Sequence, residues 1–400
     1  MKKILFVINT MSCAGAETAL IELLKCFDAK EYEVSLFVLM EQGEMLEMVP
    51  KSVKILNQRY SLESVLTEQG KKVMKKTVWR AFWRNGKIFA KASYILKQYC
   101  QMKKKKKVQF DKILWRVLSD GAQRIPKEFD LAVAYLEGGS TYYVADYVHA
   151  KKKASFVHID YESSGYTKEM DRDCFDKMDR IFMVSDEVKQ HFLQVYPQYE
   201  QKARIFHNII NQDKIKQNAK KGVGFVDSYE GVRLLTVGRL NYQKAYDIAI
   251  DALKILKDAG YQVRWYVIGE GEEREKLEKK CEELGLKEDF CMIGKKINPF
   301  PFYAQCDIYM HVTRFEGKSI AIQEAQTLGC PIIASNCNGN REQITDKVDG
   351  ILCELTPKKI AESILLLLKD EKLKKQIGQN AAKKRMVYEG ELEQLTELLK

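Results

Sequence analysis

The 400-residue sequence is poor in the groups that most often advertise chemistry. Its five histidines are dispersed, so none falls at the spacing of a zinc site. Its ten cysteines include no C-x-x-C pair and no regular spacing, which argues against a disulfide framework and fits reduced, mostly buried thiols in a cytoplasm. No stretch approaches the ~20 apolar residues that a spanning helix needs. The apolar run Ile4 to Ile8, behind Lys2-Lys3, is too short for an export signal and reads as a first β-strand. No repeat is apparent, and the low-complexity run is confined to Lys103–Lys107.

Acids are scarce in one segment. Between Lys71 and Arg116 sixteen Lys/Arg face a single acid, Asp111, so a chain of net charge +11 is −4 elsewhere. Arg80, Arg84, Lys87 and Lys91 fall at i, i+4, i+7 and i+11, one cationic stripe on a helix. Trp79, Phe82, Trp83, Ile88, Ala92, Ile95, Leu96 and Tyr99 supply an apolar face. A basic amphipathic helix of this kind suits an anionic membrane surface, met through residues 71–107, or the pyrophosphate of a polyprenyl-linked acceptor. A core helix with a solvated basic face competes with that reading. RNA is a weaker candidate: no nucleic-acid module is present, so no nucleic-acid partner is expected.

What is present is a globular composition, 46% apolar and 30% charged, in which β-rich runs alternate with helix-length segments. Strands are expected at Ile4–Ile8, Val34–Leu39, Leu131–Tyr135, Ala154–His158, Ile181–Val184 and Arg204–His207. After a polar, Lys-rich break they resume at Leu234–Val237, Val263–Ile268, Phe290–Ile293, Ile308–His311 and Pro331–Ala334. Near-continuous apolar strands alternating with helices predict two doubly wound α/β domains. The expected division is 1–207 with a basic insertion at 71–116, a linker at 208–231, a second domain at 232–385, and a closing helix at 386–400 that returns to the first domain.

Chemistry concentrates at FEGKSIAIQEA, residues 315–325. Ser319 is placed to cap a helix whose Ala321, Ala325 and Leu328 face a core, and Glu324 sits on the same side. A carboxylate among apolar neighbours costs several kcal/mol unless it is partnered, and sugar or ribose hydroxyls would serve. Glu316 lies in the loop after the strand DIYMHV, and the helix N-terminus between the two acids suits a phosphate. A structural ion pair explains the same residues less ambitiously. LLTVGRLNYQKAYD adds Arg239 and Lys244 beside a strand end that turns at Gly238, two cations suited to a diphosphate. VIGEGEER, with Gly269 and Glu270, ends a neighbouring strand in the same manner.

In this order and spacing, GRL…K, IGEG and E-x7-E resemble the family-four glycosyltransferases, a retaining group with the GT-B fold. EGKSIAIQEA…GCPIIAS is further similar to enzymes that build capsular and other cell-surface polysaccharides. The resemblance implies two Rossmann-like domains facing each other across a cleft. It implies that Glu316 holds donor-sugar hydroxyls near the amides of Lys318, Ser319 and Ile320, that Glu324 binds the ribose, and that Arg239 and Lys244 neutralise the leaving diphosphate. CAGAE, with Gly15 and Ala16, matches the loop that closes over donor phosphate, and His158 in ASFVHID matches a histidine that contacts the donor sugar. Glu137, Gly138, Gly139, Ser140 and Asp160 are expected on the acceptor side.

Three positions depart from the pattern. Ala14 and Ala245 stand where glycine is usual, which makes a positive-φ turn less comfortable, and Asn211 stands where Asp is common. The implied mechanism is transfer with retention, without metal or cofactor, in which the leaving diphosphate helps to deprotonate the acceptor and the protein positions and stabilises charge. Asp171-Arg172-Asp173 is a DxD triplet, but its charged helical setting predicts a solvated face rather than a metal site. The expected protein is a cytoplasmic, membrane-peripheral hexosyltransferase using a nucleotide-sugar, a UDP-sugar first, on a glycan or lipid-linked acceptor. A nucleotide-sugar epimerase or hydrolase, or a non-catalytic nucleotide-binding scaffold, are the alternatives.

Overall fold

The computed structural model describes residues 1–65, 67–104, 109–161, 164–385 and 390–400. Residues 105–107 of the lysine run and 386–389 of the closing segment lie outside the described residues. The chain divides into two units, Met1–Ile209 with Tyr388–Lys400, and Ile210–Val387.

The first unit is built on seven strands: β1 (Lys2–Ile8), β2 (Tyr32–Val38), β3 (Lys54–Ile55), β4 (Glu128–Ala134), β5 (His149–Val157), β6 (Arg180–Met183) and β7 (Ala203–Ile205). Their spatial order is β3-β2-β1-β4-β5-β6-β7, and each pairing is parallel. Parallel strands need both faces covered, and β1 meets that demand with an unbroken apolar run. Leu5 and Val7 enter one core cluster while Ile4, Phe6 and Ile8 enter the other. Each such side chain contributes about 1.5–3 kcal/mol by leaving water. The order reverses between β1 and β4, and a crevice beyond the carboxyl ends at such a reversal is where open α/β sheets bind ligands.

Five helices matter here: α1 (Gly15–Lys25), α2 (Glu68–Trp83), α3 (Ile88–Lys104), α4 (Phe110–Gly121) and α5 (Gly139–Tyr147). The basic segment is therefore three helices, and the single cationic stripe expected of it does not form. Asn85, Gly86 and Lys87 all take positive φ, which turns the chain between α2 and α3. Arg80 pairs with Glu41. Lys91 is buried, and its ammonium donates to the carbonyls of Ala81, Phe82 and Arg84 at 2.8, 3.0 and 2.7 Å. Those carbonyls are the orphans at the end of α2, so Lys91 is a helix cap rather than a surface charge.

The solvated face expected for the DxD triplet is also corrected. Asp171 closes a short helix, Lys168–Asp171, and is fully buried, while Asp173 is exposed. The helix Glu391–Thr396 belongs to the first unit, where Leu395 and Leu399 join its core and Lys2 Nζ donates to the Leu399 carbonyl at 2.7 Å.

The second unit carries β8 (Val232–Val237), β9 (Val263–Ile268), β10 (Phe290–Met292), β11 (Ile308–His311), β12 (Ile332–Ser335) and β13 (Ile351–Cys353). The order is β10-β9-β8-β11-β12-β13, all parallel, with its reversal between β8 and β11. Leu234 and Leu235 face opposite cores, as residues one apart on a strand must.

Two of the three departures from the family pattern carry no strain. Ala14 is extended, at φ −146°, so the glycine-like turn expected there is not made. Asn211 caps the helix Gln212–Ala219, accepting from Lys214 N at 2.9 Å, a task Asn and Asp perform about equally. Ala245 differs: it is buried and left-handed, at φ 48° and ψ 34°. Such a conformation costs a side-chain-bearing residue roughly 1–2 kcal/mol. Ala245→Gly should therefore raise stability by about 1 kcal/mol, read as a higher urea midpoint at unchanged slope. A lower midpoint would show that the buried methyl group outweighs the strain.

Candidate active site

In the second unit the strand ends at the reversal of order carry the site. Lys244 lies in a short 3-10 turn, Tyr242–Lys244, capped by Asn241, and Glu316 in the loop after β11. The two loops are stitched together: Arg314 N donates to the Gln243 carbonyl at 2.8 Å, Thr313 Oγ1 to the same carbonyl at 2.9 Å, and Gln243 Nε2 to the Phe315 carbonyl at 2.9 Å. This holds Lys244 Nζ in an ion pair with Glu316 Oε2. The same carboxylate oxygen meets His311 Nε2 at 3.1 Å. Burial alone would raise the Glu316 carboxyl, but the Lys244 ammonium and His311 outweigh it and hold the group well below the usual carboxylate range. Burial and the same lysine lower His311, against the pull of Glu316.

Glu324 behaves in the opposite way. It lies on the helix Ile320–Thr327, which Ser319 caps by accepting from Ile322 N at 3.4 Å. Burial raises its carboxyl to about 7, opposed by a hydrogen bond from the Tyr303 hydroxyl at 3.0 Å. The two acids of E-x7-E thus differ sharply in charge near neutrality. Lys318 and the start of this helix follow Glu316 directly.

The remaining loops approach through glycine. Gly269 N donates to the Gly294 carbonyl, and Gly238 N to Ile268, so the turns after β8 and β9 lie side by side. A Cβ on Gly269 would stand 1.9 Å from the Gly238 carbonyl oxygen. Gly339, which the sequence did not single out, has the same role: its Cβ would stand 1.7 Å from the Gly317 oxygen, one residue past Glu316. Arg239 is exposed and has no partner among the described residues. Glu270, by contrast, forms a two-bond fork with Arg274, both at 2.8 Å, and its carboxylate is already engaged.

In the first unit His158 follows β5. Its ring packs beside Tyr135 and Phe156, at 5.1 and 5.9 Å between centroids. Burial depresses its pKa to about 4, so the ring is neutral at pH 7. Its Nε2 is buried with no partner among the described residues. A buried ring nitrogen left this way has a free hydrogen-bonding position for a ligand.

The acceptor-side residues are mostly committed to the unit itself. Glu137 is buried and accepts from His158 N at 3.0 Å. Asn9, just past β1, donates to the Glu137 carbonyl and accepts from Ser140 N, at 3.1 and 2.8 Å. Ser140 is fully buried and its hydroxyl donates to the Leu136 carbonyl at 2.6 Å. Gly138 and Gly139 form the packed turn into α5. Asp160 faces His191, 3.0 Å between Oδ1 and Nδ1. Gly15 and Ala16 begin α1, whose first turn has no side-chain cap at Ala14.

His311, Tyr303 and Asn9 were not singled out from the sequence. His311 closes the DIYMH strand one turn before Glu316, a signal that period and position carry only once the loop geometry is known.

Residues 228–384 match the family model of the glycosyl transferases group 1. The N-acetylgalactosamine-N,N'-diacetylbacillosaminyl-diphospho-undecaprenol 4-alpha-N-acetylgalactosaminyltransferase of Campylobacter jejuni is 27% identical over 203 residues, 50% of this chain and 54% of that protein. The capsular polysaccharide biosynthesis glycosyltransferase CapM of Staphylococcus aureus is 30% identical over 151 residues, 37% of this chain and 40% of that one. The chain spans about half the length of the curated relatives it matches. The crystal structure of HepE from Anabaena in complex with UDP-glucose has the same fold, at a TM-score of 0.67 and 17% identity over 100% of this chain and 99% of that one. The fold is therefore the GT-B type, with two Rossmann-like domains.

Proposed function

We propose that the chain is a retaining glycosyltransferase that moves a sugar from a nucleotide-sugar, a UDP-sugar first, to a glycan or polyprenyl-linked acceptor in cell-surface polysaccharide assembly. The observation that carries this reading is the Glu316–Lys244–His311 cluster at the reversal of strand order, with Arg239 exposed on the same loop as Lys244. Glu316 would hold sugar hydroxyls. Lys244 and Arg239 would take the negative charge that develops on the diphosphate as the bond from the anomeric carbon to its oxygen breaks. The acceptor oxygen forms the new bond on the same face and gives its proton to the departing phosphate oxygen, so the protein supplies position and charge rather than a nucleophile. Neutral His158 would hydrogen-bond the sugar. No step needs a metal.

The test is nucleotide release from UDP-, GDP- and ADP-sugars, with and without EDTA, beside Glu316→Gln. Release from one donor, insensitive to EDTA and lost in the variant, supports the reading. Product that retains the donor sugar without an acceptor, or none with any donor, favours the epimerase and the scaffold respectively.

The place of action proposed is the inner face of a membrane. No helix among the described residues is long and apolar enough to cross one. Trp79 and Trp83 on α2, 67% and 52% exposed, lie 6.2 Å apart between ring centroids, and Phe89 at the start of α3 is 91% exposed. Lys72, Lys75, Lys76 and Lys97 are exposed on the same two helices. Aromatic rings rimmed by lysines match an anionic lipid interface. Trp79→Ala with Trp83→Ala should weaken binding to vesicles containing anionic lipid about tenfold, or ~1.4 kcal/mol, by co-sedimentation. Equal binding to purely neutral vesicles would remove the electrostatic part of the proposal.

A further inference from the structure

The Glu316 carboxylate is held from two sides. From the turn after β8, Lys244 Nζ pairs with Oε2. Gln243 Nε2, on the same turn, donates to Oε1 at 3.5 Å and more closely to the Phe315 carbonyl, at 2.9 Å. From β11, His311 Nε2 meets the same Oε2 at 3.1 Å. Lysine carries its charge on a flexible stem, whereas His311 is buried at the end of its strand.

The two ring contacts assign the hydrogen of His311. An ionised carboxylate has no hydrogen to give, so Nε2 carries one. The other nitrogen, Nδ1, meets the Tyr309 hydroxyl at 3.3 Å. Burial and the Lys244 ammonium both oppose an imidazolium, against the pull of Glu316. Nδ1 is therefore bare and accepts from the hydroxyl. Tyr309 and His311 stand two apart on β11, so they share a face, their ring planes 28° apart. The result is a neutral ring held by Tyr309, with its one N–H aimed at Glu316.

We propose that His311 is a positioning residue of the transfer reaction, holding the Glu316 carboxylate in place when Lys244 turns from it to the diphosphate of the donor. This rests on the roles proposed above for Lys244 and Glu316. In the structure lysine and histidine share one carboxylate oxygen. A diphosphate carries more negative charge than a carboxylate and competes for the lysine ammonium. His311 has no such choice, because its strand fixes its backbone and Tyr309 its ring. A neutral donor also leaves the carboxylate its charge, and Oε1 stays available to sugar hydroxyls.

Asparagine and glutamine at position 311 separate the two ring nitrogens. In His311→Gln the amide nitrogen falls near the place of Nε2 and still donates to Glu316. In His311→Asn it falls near Nδ1 and does not reach. With the donor that the unsubstituted protein accepts, His311→Asn should lower turnover about tenfold or more, with KM within about threefold. His311→Gln should stay within about fivefold of the original. Unchanged turnover in His311→Asn overturns the proposal, and so does an equal loss in both variants.

Lys244→Met supplies a test that needs no donor, since it removes the ammonium as a diphosphate would. The readout is 15N-resolved proton NMR of the His311 Nε2–H, assigned by its loss in His311→Gln. In Lys244→Met that hydrogen should stay slow to exchange, and the titration of the ring should move up, a nearby positive charge having gone. A hydrogen that exchanges as fast as in an exposed histidine, or that has moved to Nδ1, overturns the proposal. No turnover with any donor, while the hydrogen persists in Lys244→Met, overturns the transfer reading and supports the hold on Glu316.

Discussion

Glu316→Gln should lower sugar transfer roughly 10³-fold at saturating donor, the loss typical of removing one preorganised electrostatic group from a reacting centre. Glutamine keeps the volume and one acceptor oxygen, so the change isolates the charge. That charge has two tasks in the structure: it anchors Lys244 Nζ and it fixes the Nε2–H tautomer of His311. The variant leaves two donors facing an amide, and the lysine, no longer drawn back, is free to wander. Donor binding should weaken much less than turnover, because Glu324, Arg239 and the helix beginning at Ile320 remain. Stability gives an independent readout. The folded Glu316 carboxyl lies below its unfolded value, so it stabilises the protein above the unfolded pKa of about 4.3 and that contribution is lost as pH falls through the folded value. Glu316→Gln should thus be less stable than the unsubstituted protein at pH 7, and the difference should narrow in acid. Transfer within about threefold of the original would remove Glu316 from the reaction altogether.

Most of the strands were legible because parallel strands buried on both faces announce themselves as short apolar runs, as at Ile4–Ile8 and Val263–Ile268. The strands Lys54–Ile55 and Ile351–Cys353 were not legible, being too short for any period to show. Glu316 and Lys244 were legible by spacing, yet their pairing was not, since 72 residues separate them and only the loops after β8 and β11 bring them together. Beside the diphosphate role proposed for Lys244 and the sugar role proposed for Glu316, the structure satisfies each charge with the other. Glu270 is a different case. A glutamate in IGEG looks available in sequence, but the turn after β9 brings it onto Arg274, the first residue of the following helix.

The basic segment failed for a third reason. Periodicity over Lys71–Tyr99 assumed one continuous helix, and three successive positive-φ residues at 85–87 interrupt it. Asn85-Gly86 was the available signal, since asparagine and glycine tolerate that region best. Once the helix is divided, the charges separate by use: Arg80 and Lys91 serve the fold, while Lys72, Lys75 and Lys76 stay in solvent beside Trp79 and Trp83. The proposed attraction to an anionic surface thus moves from four residues counted along one stripe to a smaller patch centred on α2.

Asp171→Ala should unfold the first unit. The Asp171 carboxylate accepts hydrogen bonds from the hydroxyls of Tyr142, Tyr161 and Tyr196 at 2.8, 2.6 and 2.6 Å, all buried. Arg116, buried against the Tyr142 ring with 3.8 Å from its guanidinium carbon to the centroid, donates to the carbonyls of Met170 and Asp171 and to Asp146. Removing the carboxylate orphans three buried hydroxyls at roughly 1–3 kcal/mol each, so the sum rivals the ~5–15 kcal/mol that holds a domain together. Asp171→Asn keeps one oxygen and the volume, and should cost about 2–4 kcal/mol, leaving a folded protein whose first thermal transition is lowered. Urea unfolding of both variants checks this. The same experiment separates a structural hub from a metal triplet: Mn²⁺ or Mg²⁺ should not raise the midpoint of the unsubstituted protein, because Asp171 is spent on tyrosines and Asp173 pairs with Lys177. An Asp171→Ala protein that melts within roughly 2 °C of the original would mean that the tyrosines find other partners, and the DxD triplet would again need a role.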